Sequence, residues 1–375
     1  MAEQKKAKII ERKQAVLKGL KSFGTSVYEQ LDQGVFPTVN MPSRSTENIT
    51  YDEQLRQYVL GEKSVGRSTR NIRHIKPFTQ LAWVALFSNE LTSQRKTSTL
   101  RDVYYSAQAY EMTFSDQQES NNIITDLETL TGFAREDFNI FPEERSAIFG
   151  DIDVAYTVPG YEGKSVNLTS HPDGVLIGPA ITSSEFLKTS ADKVIAIEKG
   201  ALFTRFIEEN VHNKHKSLLV SCGGQAPRQT RSFIRRLHDE LNLPVFILTD
   251  GDPWGMHIAQ VIISGSANAA HLRDLNTPDA VWSGVWASDI IEYKLPTDPL
   301  DEVDIKRLYE LQKDPRYQND PIWQREIKTF LKIRRKTELE AFSRYGLTYI
   351  VDKYLPAKLE AGPDMASGSS KKQKK

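Results

Sequence analysis

The sequence has almost no cysteine, no net charge and no long apolar run, and each absence excludes a class of protein. Cys222 is the single cysteine in 375 residues, which excludes an internal disulfide and a cysteine-rich zinc site and suits a reducing cytoplasm. No run of about 18 apolar residues is present to span a bilayer, so we expect no membrane association. The basic N-terminus is not followed by an apolar core, and no signal peptide is predicted.

Charge is balanced over the whole chain but not within it. Lysine and arginine equal aspartate and glutamate at 49 each, so the overall charge gives no reason to expect nucleic acid. Between Gly61 and Arg101, however, eight basic residues stand against two acidic ones, a net charge of +6. This local excess predicts a positive face, although a solvated charged loop explains the same count.

Composition and periodicity divide the chain into five predicted segments. The predicted fold class is multidomain α/β, with a helical domain of the winged-helix type followed by a domain built on a parallel sheet. The segments are an N-terminal arm with one amphipathic helix (1–70), the winged-helix domain (71–155), a connection rich in Gly, Pro, Ser and Thr (156–192), the parallel-sheet domain with C-terminal helices (193–360), and a basic, disordered tail (361–375).

The predicted winged-helix domain rests on helical periodicity followed by strand-like alternation. The stretch FTQLAWVALFSNEL has the apolar spacing of a buried helix, and SDQQESNNIITDLETLTGF predicts a second one with Ser115 as its cap and Gly132 as its stop. The following FNIFPEERSAIFGDIDVAYT alternates around a turn at 142–144, which predicts a β-hairpin. Helices and a hairpin in this order predict that a helix lies in or over the DNA major groove.

Three acids follow short, β-branched apolar runs in the second half of the chain. Glu198 ends VIAIEKG, and Asp250 and Asp252 end VFILTDGDPWG, so all three are predicted at the carboxyl ends of buried parallel strands. Carboxylates about 4 Å apart repel by roughly 4 kcal/mol per pair at an effective dielectric constant of 20, so such a cluster implies a cation. Oxygen donors favour Mg²⁺ over Zn²⁺. The alternative for the DxD pair is a turn and a helix cap.

The order of these acids carries a family resemblance. A Glu on an early strand and a D-x-D on a later one resembles the Toprim domain of topoisomerases, primases and some nucleases, in which the matching residues bind Mg²⁺. Upstream, TSTLRDVYY resembles the A subunits of type IIB topoisomerases and the related meiotic break-initiating transesterases. Together the likeness covers roughly residues 70–360. It implies that Tyr105 is the nucleophile that attacks DNA and that Arg101 supports the reaction.

The residues alone do not choose between Tyr104 and Tyr105. On a helix the two side chains point about 100° apart, so only one can face a site. Both are also explained as core aromatics. The ordinary pKa of a tyrosine is near 10, so a neighbouring cation or base must assist its deprotonation. Arg101 would share a helix face with Tyr105, and a permanently protonated guanidinium suits phosphate binding rather than proton abstraction.

A predicted helix between the acids carries a stripe of arginines. Arg228, Arg231 and Arg235 recur at i, i+3 and i+7 after Pro227, and a stripe beside a metal site can clamp the DNA backbone. Arg228 and Arg231 are the predicted DNA-binding residues. A solvated helix face is an equally good explanation of the same spacing.

The resemblance implies one component of an ATP-dependent enzyme that cuts and reseals both DNA strands. PGYEGKS is similar to a phosphate-binding loop, but Val158 stands where that motif requires glycine, so no ATP site is predicted in this chain. In the family, ATP belongs to a B subunit, two A subunits form a homodimer on double-stranded DNA, and the complex is an A2B2 heterotetramer. The expected location is the cytoplasm, on the nucleoid.

Two alternative functions remain, a Toprim-type metal-dependent nuclease and a noncatalytic DNA-binding scaffold. Within the family, the residues do not distinguish a relaxing topoisomerase from a recombination break initiator.

Overall fold

The protein is described by a computed structural model that covers residues 2–361, with side chains from residue 11. These residues divide into two compact units, each assembled from separate stretches of chain. Unit 1 comprises the described residues up to Thr50, Tyr58–Glu143 and Ala267–Arg273. Unit 2 comprises Tyr51–Gln57, Glu144–Ser266 and the described residues from Asp274 onward. The predicted basic tail lies outside the described residues beyond position 361.

Helices supply most of the first part of the chain. Up to residue 141 the elements are α1 (Ala2–Asp32), β1 (Thr38–Pro42), β2 (Ile49–Asp52), β3 (Gln57–Leu60), β4 (Ser64–Ser68), α2 (Ile72–Gln94), β5 (Ser98–Thr99), α3 (Leu100–Ala109), α4 (Gln117–Thr131) and β6 (Ile140–Phe141). The α4 helix is capped by Asp116, one residue after the predicted Ser115, and ends at Gly132 in a left-handed conformation, as predicted.

The core of unit 1 includes the predicted N-terminal arm. The helix predicted there is confirmed as α1, but Val16 and Leu20 are buried with α2, α3 and α4 in one apolar cluster. Val39 and Met41 of β1 belong to the same cluster. The predicted N-terminal arm is therefore not a separate segment, because its apolar residues form part of the core of unit 1.

The predicted hairpin around residues 142–144 is wrong. The β6 strand pairs in parallel with β5, and the next strand along the chain, β7 (Ala147–Phe149), pairs with strands of unit 2. Local alternation indicates a strand but not its partner. The turn therefore separates two sheets instead of joining two strands of one.

Unit 2 is an α/β structure. Its elements after β7 are β8 (Ile152–Ala155), β9 (Ser165–Asn167), β10 (Val175–Leu176), α5 (Pro179–Thr182), β11 (Glu185–Thr189), β12 (Lys193–Ile197), α6 (Gly200–Glu208), α7 (Val211–Lys214), β13 (Ser217–Ser221), α8 (Arg228–Leu241), β14 (Val245–Leu248), α9 (Pro253–Ser264), β15 (Val281–Gly284), α10 (Ala287–Glu292), β16 (Asp298–Pro299), α11 (Glu302–Lys313), α12 (Pro315–Gln318), α13 (Pro321–Ile333), β17 (Arg335–Lys336) and α14 (Leu355–Glu360).

A six-stranded sheet in the order β10-β7-β13-β12-β14-β15 forms the centre of unit 2. The β13, β12, β14 and β15 strands are parallel, and β7 and β10 are antiparallel to their neighbours. Val194 and Ala196 of β12 belong to one apolar cluster, whereas Ile195 and Ile197 belong to another. Both faces of the sheet are therefore covered, which explains why these strands read as continuous apolar runs.

The predicted connection at 156–192 differs from the structure, since it contributes β9, β10 and β11. The β10 strand extends the six-stranded sheet, and β9 and β11 flank β8 in a three-stranded sheet. Its glycines and prolines mark turns between short strands rather than a link between domains. No helix in the described part of the chain has the length and apolar composition needed to cross a membrane.

Candidate functional site

Two neighbouring parallel strands bring the predicted acids to one edge of the sheet. The β12 and β14 strands are paired so that Ile197 lies beside Leu248. Glu198 follows the first strand directly, and Asp250 follows the second by two positions. The Asp250 backbone N–H donates a hydrogen bond to Glu198 Oε2 at 2.9 Å. The register of the sheet therefore places these two carboxylates together.

Asp250 is held at both carboxylate oxygens. The Leu339 backbone N–H donates to its Oδ1 at 2.9 Å, and the Lys199 Nζ lies 3.1 Å from its Oδ2. The side chain is only 11% exposed. The carboxylate is fixed in one orientation by a backbone donor on one side and a cation on the other.

Asp252 caps α9, as the alternative explanation of the DxD pair expected. Its Oδ1 accepts a hydrogen bond from the Gly255 backbone N–H at 2.6 Å. Gly255 has no substitute here, because a Cβ at this position would lie 2.2 Å from the Asp250 carbonyl oxygen. Capping uses one oxygen of Asp252, so the cap does not exclude a metal role for the other.

Trp254, in the first turn of α9, has its ring on the surface. It is 44% exposed, whereas the other four tryptophans are at most 8% exposed. The Arg307 guanidinium lies 5.2 Å from its ring centroid, within the range of a cation–π contact. An aromatic ring thus reaches solvent two residues after Asp252.

Burial and mutual repulsion disfavour ionised carboxylates at this edge. Burial, followed by the charge of Asp250, raises the pKa of Glu198 from 4.5 to about 7. Burial also raises the pKa of Asp250 to about 6, although the Leu339 N–H and Lys199 oppose the rise. The pKa of Asp252 is raised by burial and by Asp304, despite the hydrogen bond from Gly255. Burial is the largest cause at each of the three acids, so the site disfavours their ionised forms even with Lys199 nearby.

The donor set fits a hard divalent cation in chemistry and charge, although the carboxylates are not gathered in a ligating geometry. Among the side chains from residue 11 to 361, no group of three or more His, Cys, Asp or Glu is placed to hold a metal ion. All three candidate donors are carboxylates, which suit Mg²⁺. The raised pKa values are those that an added cation would lower again.

The structure also shows two acids near the site that the sequence analysis missed. Glu338 and Glu340 lie beside Asp250 through Lys199, whose Nζ is 2.6 Å from Glu338 Oε2 and 3.1 Å from Glu340 Oε2. They follow β17, which is distant from β12 in sequence. The signal was weak, because two acids in KTELEAF read as an exposed polar stretch.

The predicted nucleophile lies on the short helix α3 of unit 1. Thr99 caps this helix by accepting a hydrogen bond from the Asp102 N–H at 3.0 Å. Tyr105 is 52% exposed, whereas Tyr104 packs partly buried against the core. The Arg101 guanidinium lies 5.8 Å from the Tyr105 ring centroid, and its hydrogen bond with Tyr105 raises the pKa of the arginine. Arg101 and Tyr105 thus share one face, as helical spacing predicted.

The predicted arginine stripe on α8 is not a uniform surface feature. Arg228 is half-buried, but Arg231 is only 5% exposed. Arg235 donates from Nη1 to the Asn276 carbonyl oxygen at 3.0 Å and pairs with Asp239. The amphipathic spacing placed all three on one face, but that face packs against the rest of unit 2 instead of facing solvent throughout.

Comparison with known proteins connects both units to one family. A model of the Toprim domain shared by the topoisomerase 6 A subunits and Spo11 matches residues 193–359, and a type IIB DNA topoisomerase model matches residues 76–140. The chain is 47% identical to the A subunit of type 2 DNA topoisomerase 6 from Methanothermobacter thermautotrophicus, over 94% of this chain and 99% of the relative. It is 36% identical to the corresponding protein of Archaeoglobus fulgidus over 94% and 98% of the two chains, and 38% identical to that of Methanocaldococcus jannaschii over 89% and 91%.

Proposed function

The chain belongs to the family of type IIB topoisomerase A subunits, and we infer from this membership that it is the DNA-cleaving and religating subunit of such an enzyme. Its substrate is double-stranded DNA, which it breaks transiently so that the enzyme can relax or unlink duplexes. The observation that carries this conclusion is the 47% identity over 94% of the chain, which extends through both units.

For unit 1 we propose a winged-helix type of DNA-binding domain. Support comes from the common core of α2, α3 and α4 and from the family match across residues 76–140. Arg70, Arg73 and Lys96 are exposed on this unit and suit contacts to phosphate. Arg67 is excluded from that set, because it forms an ion pair with Asp126, which is only 5% exposed.

For the nucleophile we propose Tyr105. Its side chain is exposed and shares a hydrogen bond with Arg101, whereas Tyr104 is partly buried against the core. In the proposed step the phenolic oxygen attacks the scissile phosphorus in line. The bond from phosphorus to the 3′-oxygen breaks, a 5′-phosphotyrosyl bond forms, and the proton lost by the tyrosine is balanced by one gained at the 3′-hydroxyl. Because one phosphodiester replaces another, the reverse attack reseals the strand without external energy.

Arg101 has a supporting role in this proposal. Its guanidinium remains protonated, is hydrogen-bonded to Tyr105 and presents several N–H donors suited to phosphate oxygens. It therefore positions the phosphate rather than removing the proton. Arg228 is proposed to contact the DNA backbone from α8, and the more buried Arg231 to act beside it after a local rearrangement.

For the metal site we propose Glu198, Asp250 and Asp252, with Mg²⁺ as the ion. When bound there, Mg²⁺ supplies neutralisation of the charge that develops on the phosphoryl and leaving oxygens. The chain's own part is to hold the three carboxylates at one sheet edge and to keep Asp250 oriented through the Leu339 N–H. The support is the all-carboxylate donor set and the raised pKa of Glu198.

For the assembly we propose a homodimer that joins two ATP-binding B subunits in an A2B2 heterotetramer. Each copy would provide one Tyr105, so two copies account for cleavage of both strands. ATP is assigned to the B subunit, and the complex to the cytoplasm on the nucleoid.

The test of the nucleophile compares two adjacent tyrosines on the same helix. The purified chain, with plasmid DNA, Mg²⁺, ATP and a candidate B subunit, is denatured during turnover and examined for protein linked to 5′ ends. Tyr105→Phe is expected to abolish the covalent adduct while leaving DNA binding within about twofold, because only the hydroxyl is lost. Tyr104→Phe, the matched control, is expected to retain the adduct.

Other outcomes would support a rival. Adducts that persist in Tyr105→Phe and disappear in Tyr104→Phe would reassign the nucleophile. Free 5′-phosphate ends without any adduct would indicate a Toprim-type nuclease that uses water. DNA binding with no divalent-ion dependence and no cleavage would indicate a noncatalytic scaffold.

The metal proposal has its own variants. Asp250→Asn combined with Asp252→Asn is expected to lower Mg²⁺-dependent cleavage by at least about a hundredfold, because two anionic donors are lost. Asparagine is also a good helix cap, so α9 is expected to remain folded. Unchanged cleavage in the double variant would remove these two residues from the metal site.

A further inference from the structure

Lys199 lies at the centre of three carboxylates, one of which is a proposed metal ligand. We propose that Lys199 is a positioning residue that orients Asp250 and competes with the divalent ion for its Oδ2, and that Glu338 and Glu340 retain the lysine when Asp250 turns to the ion. This inference rests on the metal role proposed above. It adds Lys199 to that site as a competitor of the ion, and Glu338 and Glu340 as acceptors for the displaced lysine.

The contacts of a single ammonium group carry the proposal. Lys199 Nζ lies 3.1 Å from Asp250 Oδ2, 2.6 Å from Glu338 Oε2 and 3.1 Å from Glu340 Oε2. An ammonium has three N–H donors, so one donor is available to each carboxylate. Loss of Asp250 as a partner therefore leaves two partners in place, and the lysine has no need to enter solvent.

The three carboxylates are not equivalent. Asp250 is 11% exposed, whereas Glu338 and Glu340 are 67% and 45% exposed. The buried partner belongs to the metal site and the exposed partners lie on its outer side. An ion that takes Asp250 Oδ2 removes the inner partner only, so the lysine shifts outward along contacts that it already makes.

The Lys199 ammonium and a bound divalent ion are both positively charged, which is the basis of their competition for Asp250. A cation that ligates Asp250 through Oδ2 interacts with the same oxygen that the Lys199 ammonium contacts, so each weakens the other's interaction with that oxygen. A cation at Asp250 and the Lys199 ammonium also repel each other at short range in a partly buried site. The Lys199 ammonium therefore lowers the affinity of the site for a divalent ion.

The experiment measures ion affinity rather than cleavage. Mn²⁺ is titrated calorimetrically into the full chain, without DNA or ATP, at pH 8 and low salt. Lys199→Met is expected to bind Mn²⁺ at least about tenfold more tightly than the natural chain, because it retains the side-chain length and loses the competing charge. Lys199→Arg keeps that charge and is the matched control, expected to bind no more tightly than the natural chain.

A double-mutant cycle tests whether Glu338 and Glu340 act by retaining Lys199 or by attracting the ion directly through their charge. Glu338→Gln with Glu340→Gln is expected to weaken Mn²⁺ binding about tenfold when Lys199 is present, because the lysine then has only Asp250. In the Lys199→Met background the same pair is expected to change affinity by less than about twofold, because exposed, screened glutamates act weakly at a distance. Equal weakening in both backgrounds would show that the glutamates act on the ion directly and would overturn the proposal.

The remaining outcomes are also decisive. Unchanged or weaker binding by a folded Lys199→Met, judged by its thermal melting curve, overturns the competition. If that variant does not fold, tighter binding by Lys199→Arg overturns it instead. Loss of Mn²⁺ binding in Asp250→Asn is expected. If Asp250→Asn binds Mn²⁺ as the natural chain does, the proposed metal site itself fails, which is distinct from failure of the lysine's role.

Discussion

Replacing Glu198 by glutamine is expected to stabilise the folded chain at alkaline pH. The Oε2 of Glu198 accepts the Asp250 N–H, and a glutamine carbonyl oxygen can accept the same bond at nearly the same volume. What changes is the charge, since burial and the neighbouring Asp250 raise the pKa of Glu198 from 4.5 to about 7. The glutamate is therefore held in a place that disfavours its ionised form.

The size and the sign follow from the two pKa values. A rise from 4.5 to about 7 corresponds to roughly 3 kcal/mol, at about 1.4 kcal/mol per pKa unit. Below pH 4.5 the carboxyl group is neutral in both the folded and the unfolded chain, so Glu198 does not lower the free energy of unfolding. As pH rises, the unfolded chain ionises first and the free energy of unfolding falls until about pH 7. Glu198→Gln removes this loss.

The assay is urea unfolding in EDTA at one protein concentration, followed at several pH values. At pH 8 the variant is expected to exceed the natural chain by roughly 3 kcal/mol in free energy of unfolding, and the difference should become small near pH 4. Glu208→Gln is the control, because its side chain is 61% exposed and pairs with Arg205 on the surface. A variant that is equally or less stable at pH 8, or a gain that does not depend on pH, would refute the reasoning.

Three further predictions concern other features. Gly255→Ala is expected to destabilise the chain by on the order of 3 kcal/mol or more in urea unfolding, because its Cβ would lie 2.2 Å from the Asp250 carbonyl oxygen. The control is Gly24→Ala, whose Cβ meets nothing within 4 Å and which should be neutral or stabilising. Bound DNA is expected to protect tryptophan fluorescence from acrylamide, and Trp254→Phe should abolish that protection; protection that survives would place DNA elsewhere. Arg135→Met is expected to cost roughly 3–5 kcal/mol in the same unfolding assay, because it removes the guanidinium that pairs with the buried Glu128. Adding Glu128→Gln should recover most of the loss, and no recovery would contradict the pairing.

The sequence was informative where one strand or helix determines the outcome by itself. Glu198 and Asp250 each follow an apolar run of the kind that forms a doubly covered parallel strand, so the position of each acid just beyond the carboxyl end of a strand was predictable. The helical spacing of Arg101 and Tyr105 likewise predicted their shared face. In each case the necessary information lies within a dozen residues.

The sequence was uninformative where a contact joins distant stretches. Lys199 and Glu338 are separated by 139 positions, and neither has a local signature of the other. The β7 strand alternates like half of a hairpin, but its partner β13 comes much later in the chain. Arg231 has the spacing of a surface arginine, and only the packing of α8 shows that it is buried.

Each unit contains a short segment from the part of the chain that forms the other unit, which limits how the polypeptide can be cut into independent fragments. Residues 267–273 complete unit 1, and residues 51–57 complete unit 2. A fragment starting near residue 144 would carry Ala269 and His271 without the side chains that bury them, including Glu128. Limited proteolysis should therefore give nicked chains that stay associated rather than two separable domains, and chimaeras between relatives should exchange both segments together with the unit that each completes.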